Sequence, residues 1–326
     1  MPKPRKPRKP RPLSPRFSIA EWYGIPLTAL TADERRGFAR VQTLPKKERP
    51  PIPCPFQDGI PCNKNSGVCS LRLYQQDVET KIVSPVLDGL TGALRTVCPS
   101  RFEEDKIIYH WVGETVLGCE SPSVIPEIGF LESPPSEDVA IASSDVGRID
   151  KVLLVPGTSP LSWCALEAQA VYFQGKAMSN DFAAIRNETG DGLTFPAVLR
   201  RPDYRSSGPK RLMPQLQIKV PSLRRWGKKM AVIVDRSFFQ AMGKMRSVPH
   251  ISNCDVAWFV VRYEETESGR YRMVPDSVHY TTLEDSVEGL TAGVPVSLDT
   301  FEDRILAKLQ RPPRPRKIAP DQQLIH

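Results

Sequence analysis

The 326 residues include 45 Lys and Arg, 37 Asp and Glu, and 33 prolines, with an ordinary 40% hydrophobic content. That length suits one large domain or two modest ones. No apolar run is long enough to cross a bilayer and no signal-peptide pattern opens the chain, so a membrane-spanning or secreted protein is excluded and a soluble, cytoplasmic one expected.

The positive charge is unevenly distributed. Residues 1–16 carry seven Lys or Arg and no acid, and 311–317 carry four more; the rest of the chain has 34 basic against 37 acidic residues. Both ends are rich in proline, which fixes φ and removes backbone donors, and their like charges repel. Residues 1–16 and 311–326 are therefore predicted to be disordered basic tails that attract phosphate without reading sequence.

Between the tails, Phe17 to Gly24 is a short amphipathic element and 31–53 a polar connection. A helix and a strand are expected within 101–132. Ile149 to Val155 and Trp163 to Val171 are apolar enough to be buried strands, and Ala177 to Glu188 has helical character with Met178, Phe182 and Ile185 on one side. The segment 200–229 holds ten Lys or Arg and one acid, Asp203. Pro202, Pro209, Pro214 and Pro221 interrupt it, so it is read as loop with a strand at Leu216 to Val220. Its charge makes it a candidate nucleic-acid-facing surface. Arg224 and Arg225 are candidates for a bidentate guanine contact, and Trp226 is assigned to the core. Met230 to Val234 is a buried strand, followed by a helix near Arg236 to Met245. Val256 to Tyr263 is a strand that Tyr271 to Tyr280 pairs with, and helices at 283–292 and 299–310 close the chain. Strands mixed with helices imply an α/β or mixed α+β core.

Seven cysteines, without a secretory signal, argue against a disulfide framework. Cys54, Cys62, Cys69 and Cys98 lie among turn-forming residues (Pro53, Pro55, Gly59, Pro61, Gly67, Pro99). The backbone can curl around one tetrahedral ion there, zinc or iron, and a site closed by four thiolates is structural. Cys119, Cys164 and Cys254 are core thiols.

Asp150 and Glu167 each interrupt an apolar strand. An unpaired buried carboxylate is very costly, whereas two on neighbouring strands can share a divalent cation and make a catalytic centre. Gln169 is two residues from Glu167 and so faces the same way.

In this order, Ile19 to Gly24, Cys54-Pro55-Phe56, Cys62, Gly67-Val68-Cys69, Cys98-Pro99-Ser100-Arg101, Asp150, Leu166 to Gln169 and Phe173-Gln174-Gly175 resemble the NotI family of type II restriction endonucleases. The resemblance runs from about residue 17 to 310. It implies a PD-(D/E)xK-like core, a mixed sheet flanked by helices, over 133–310, and an N-terminal region over 17–132 whose four cysteines bind iron. It also implies that Asp150 and Glu167 hold Mg²⁺, that Gln169 takes the place usually filled by lysine, and that an upstream acid, Glu137 or Asp138, joins them. The implied activity is sequence-specific hydrolysis of double-stranded DNA by a homodimer, with a separately encoded methyltransferase protecting host sites. A non-catalytic DNA-binding protein with a structural four-cysteine site is the alternative.

Overall fold

The stretch Phe17 to Trp22 is buried throughout, and with Arg16 it forms strand β1 (Arg16–Trp22). β1 begins a five-stranded sheet in a computed structural model that describes residues 13–132, 145–175, 178–291, 293 and 296–310. It pairs with β2 (Ile25–Pro26), and on its other side with β3 (Val68–Gln76), antiparallel in both cases. Between β2 and β3 lies helix α1 (Ala32–Thr43), where a polar connection was expected. A capping box starts it: Glu34 N–H donates to Thr31 Oγ1, and Thr31 N–H donates to Glu34 Oε2 at 2.8 Å. Its inner face is Ala32, Arg35, Ala39 and Gln42, so two polar residues hide the helical periodicity. Arg35 reaches Glu188 (3.0 Å) and the Leu30 carbonyl (2.8 Å). The sheet is completed by β4 (Val83–Pro85) and β5 (Arg95–Thr96), with the one-turn helix α2 (Gly89–Gly92) between them.

A 3-10 stretch at Pro99–Lys106 leads into α3 (Ile107–Val112). Then comes the six-stranded mixed sheet, with β6 (Ser123–Glu132), β7 (Asp145–Val155) and β8 (Ser162–Ala168) antiparallel in sequence. The hairpin β9 (Phe173–Gln174) and β10 (Arg201–Pro202) flanks α4 (Ser179–Arg186), whose Phe182 and Ile185 pack with β1 and β3. Next are the single turn α5 (Tyr204–Ser207), a π-helical turn at Gly208–Leu212, and α6 (Met213–Arg225). β11 (Met230–Asp235) runs parallel to β8 and to β12 (Val256–Glu265), with α7 (Arg236–Ala241) between β11 and β12; β13 (Tyr271–Thr281) pairs antiparallel with β12. Helix α8 (Leu283–Thr291) follows. The central sheet is thus ordered β13-β12-β11-β8-β7-β6, a mixed α+β architecture as expected.

Side-chain alternation splits the core in two. Val232, Val234, Trp258 and Val260 pack with Leu216, Val220 and Leu223 of α6 on one face. Ala231, Ile233, Phe259 and Val261 pack with Phe102, Ile108 and Val112 on the other. Leu216 to Val220 is therefore the middle of a helix, not a strand. Leu212, Leu216, Val220 and Leu223 recur at helical spacing, and Pro214 falls in the first turn, where its missing N–H costs nothing. Trp226, expected in the core, is 49% exposed and leans on Trp163 at 6.2 Å. The helix α9 (Leu298–Leu309), capped by Ser297, belongs to a second unit that starts at Gly293. Glu137, Asp138 and nearly all of both tails lie outside the described residues.

One fully buried ion pair joins the two sheets. Arg101 Nε donates to both oxygens of Glu21 (3.1 and 2.9 Å), Nη1 meets Glu104 (2.9 Å), and Nη2 donates to the Tyr271 carbonyl (2.9 Å). Removing one partner of such a pair strands the other charge in a dry site. Arg101→Ala should cost about 3–5 kcal/mol in urea unfolding; a loss below about 1 kcal/mol would contradict this role for the pair.

Candidate active site

Asp150 and Glu167 are brought together by the β7–β8 register. The last paired residues are Lys151 and Leu166, so one step further along Asp150 stands opposite Glu167. The two differ in exposure: the Glu167 side chain is 4% exposed and that of Asp150 58%. Glu167 follows Ala165 on the α6 side of the sheet. From α6 comes a residue the sequence reading did not place here. Lys219 is buried, and its Nζ hydrogen-bonds Glu167 Oε1, lies 3.1 Å from Gln215 Oε1 and 3.9 Å from Asp150 Oδ1. Gln215 and Lys219 share a helix face at i, i+4. Reading 212–223 at helical period would have placed both residues on one helix, since the buried positions of α6 already follow that period.

Gln169 lies just beyond β8, where its N–H continues the pairing to the Ile233 carbonyl (2.9 Å) and its Nε2 donates to the Ala170 carbonyl (2.5 Å). Asp150, Glu167 and Gln169 open into one cleft of about 420 Å³ whose rim includes Lys64, Tyr172, Lys210 and Arg211. Arg211 stacks on the Tyr172 ring at 3.7 Å.

The remaining basic residues of 200–229 are less available than their number suggests. Arg200 is buried against Asp181. Arg224 is held by Asp255 (2.9 and 2.5 Å) and Glu284 (3.2 Å). Lys228 and Lys229 donate to the carbonyls of Leu161, Ser252 and Cys254.

The four cysteines fold into one neighbourhood. Cys98 N–H donates to the Cys69 carbonyl (3.2 Å). Burial raises the thiols of Cys54, Cys62 and Cys69, and the nearby charge of Cys98 raises each further. All seven cysteines are free thiols. Cys164 and Cys254 are buried, as expected of core thiols, while Cys119 is partly exposed. Val97 and Pro99, on either side of Cys98, line the cleft, and Lys64 Nζ donates to the Val97 carbonyl at 2.6 Å. The segments beside Cys62 and Cys98 therefore form one wall of the cleft. As they stand, no three Cys, His, Asp or Glu side chains among the described residues form a metal-holding group. The donor types, sulfur from the four cysteines and oxygen from the two carboxylates, are those that iron or zinc and magnesium take respectively.

Burial first, and then the Asp150 charge, raise the Glu167 carboxyl while Lys219 partly offsets both, leaving it at about 7. Between pH 4.5 and 7 such a group keeps its proton in the folded state and loses it in the unfolded chain, so its contribution to stability declines as pH rises. In metal-free protein, the stability of the natural chain minus that of Glu167→Gln should fall by about 3 kcal/mol from pH 4.5 to 8. Urea unfolding across that range checks it, and a pH-independent difference would contradict the shift.

A family model described as restriction endonuclease NotI matches residues 40–273, which include the four cysteines, Asp150, Glu167, Gln169 and Lys219. No curated protein sequence matches the chain. Among the described residues no helix is long and apolar enough to cross a membrane. Since the family match covers well over half of the sequence, the chain belongs to the NotI restriction endonuclease family, membership of which implies sequence-specific, type II cleavage of double-stranded DNA.

Proposed function

We propose that the protein is a Mg²⁺-dependent endonuclease of PD-(D/E)xK type, with Asp150, Glu167 and Gln169 at its hydrolytic centre. The observation that carries this reading is the convergence of the Asp150 and Glu167 carboxylates at the base of a cleft with a basic rim. The order of the central sheet, antiparallel through β6–β8 and parallel through β8–β12, agrees with that fold. Asp150 and Glu167 are the residues that would hold the ion. Magnesium, when bound, supplies Lewis-acid charge at the scissile phosphate and lowers the pKa of water for in-line attack.

The rest is done by the chain itself. With its Nε2 engaged by Ala170, Gln169 offers Oε1 as the acceptor that orients the attacking water. Lys64, Lys210 and Arg211 guide the phosphate backbone into the cleft, a contact that carries no sequence information. Cys54, Cys62, Cys69 and Cys98 bind a structural iron or zinc that stiffens the cleft wall. The enzyme acts inside the cell as a homodimer, because a two-fold protein matches a palindromic site, and a methyltransferase protects the host's own copies of that site.

Two measurements test this. High-complexity DNA incubated with Mg²⁺ should give discrete fragments that EDTA abolishes, and Asp150→Ala or Glu167→Ala should lower the rate on the order of 10³-fold, several kcal/mol of transition-state stabilisation. Binding without cleavage, or alanine variants that cut like the natural chain, would sink the assignment and favour a non-catalytic DNA-binding protein. Elemental analysis should find about one iron or zinc per chain, lost in Cys62→Ser together with thermal stability. Unchanged metal content in that variant would remove the structural site.

A further inference from the structure

The two carboxylates of the cleft present an electrostatic problem that Gln169 cannot solve. Its amide is neutral, so nothing on β8 offsets the charges of Asp150 and Glu167, and Glu167 is almost wholly buried. A buried carboxylate facing a second one stays charged only with a cation beside it. The nearest cation reaches the site from another layer. Lys219 extends from α6 with its stem buried, and its Nζ engages Glu167 Oε1, with Gln215 Oε1 at 3.1 Å and Asp150 Oδ1 at 3.9 Å. One ammonium thus touches one acid, approaches the other, and is steadied by a glutamine on its own helix that also lines the cleft.

We propose that Lys219 is a positioning residue that supplies, from the helix, the positive charge which Gln169 leaves out of the strand. It fixes one oxygen of Glu167, and so leaves the second oxygen and the exposed Asp150 carboxylate as the donors turned to catalysis. This rests on the endonuclease reading for its consequence in cleavage, but the charge compensation itself is a property of the side chains alone.

The test moves the ammonium from one element to the other, using full-length protein and DNA containing the cleaved sequence. Lys219→Met should lower kcat on the order of 10²-fold, the scale of losing one preorganised electrostatic group, with KM and fragment pattern unchanged. It should also lower the melting temperature of metal-free protein. Adding Gln169→Lys to that variant should recover part of the loss in melting temperature, because a lysine two residues from Glu167 on the same strand face puts the charge back; cleavage by the double variant is not the readout, since it also lacks the Gln169 acceptor. A residue that only fills space on α6 would not be replaced by a lysine on the strand. A Lys219→Met variant whose rate is within threefold of the natural one and whose melting temperature is unchanged would overturn the proposal, and so would a double variant that melts no higher than Lys219→Met. If Lys219→Met alone does not fold, the double variant decides: a folded double variant supports the role, whereas an unfolded one overturns it. Should the natural chain cut no DNA at all, the melting measurements still decide the role of Lys219, so the two failures are distinguishable.

Discussion

The constraint on which the site depends is the cost of keeping the Glu167 carboxylate out of water opposite Asp150. Glu167 sits on the inner face of β8, between the sheet and α6, where water cannot solvate it. Something positive has to meet it there, and Lys219 does so from a helix whose apolar stripe holds it against the sheet. The packing of α6 and the electrostatics of the cleft are one arrangement: Leu216, Val220 and Leu223 set the helix down, and Lys219 follows between them. A lysine head this deep is tolerated because it is paired.

The N-terminal sheet is tied to this centre by polar contacts that are themselves buried. Thr96 on β5 donates its N–H to Asp235 Oδ2 at the end of β11 and accepts from Val171 N–H, each at 2.8 Å. Asp235 also caps α7 through the Phe238 N–H. Together with Arg101 and Glu21, these bonds fix the chain that carries Cys98 beside the strand end that carries Glu167. The segments beside Cys62 and Cys98 are thereby part of the cleft rather than a remote appendage. A metal held there would act on the cleft through the position of Val97, Pro99 and Lys64.

What could be read from the sequence follows from which residues announce their environment. Asp150 and Glu167 stood out because a carboxylate in an apolar strand is physically anomalous, and their pairing across β7 and β8 follows from that. The strands around Met230 and Val256 were legible as continuous apolar runs. Helix α1 was not, since Arg35 and Gln42 face inward and their burial depends on partners far along the chain, such as Glu188. Lys219 was missed for a related reason. Four prolines and ten cations made 200–229 look like an exposed loop, although Pro214 sits where a helix accepts proline and the leucine spacing is helical. Trp226 shows the converse: hydrophobicity alone does not say whether a ring is enclosed or only leaning on another, here Trp163. The cysteines were grouped by their turn-rich surroundings; the fold brings their segments near one another, but among the described residues they form no metal-holding group.

The most direct measurement is anomalous diffraction from crystals of the protein grown with Mn²⁺ in place of Mg²⁺. The account predicts one strong peak in the cleft, at about 2.0–2.4 Å from an oxygen of Asp150 and an oxygen of Glu167, with Lys219 still against Glu167. A cleft without such a peak, in crystals of a protein that nonetheless cleaves DNA with Mn²⁺, would contradict it.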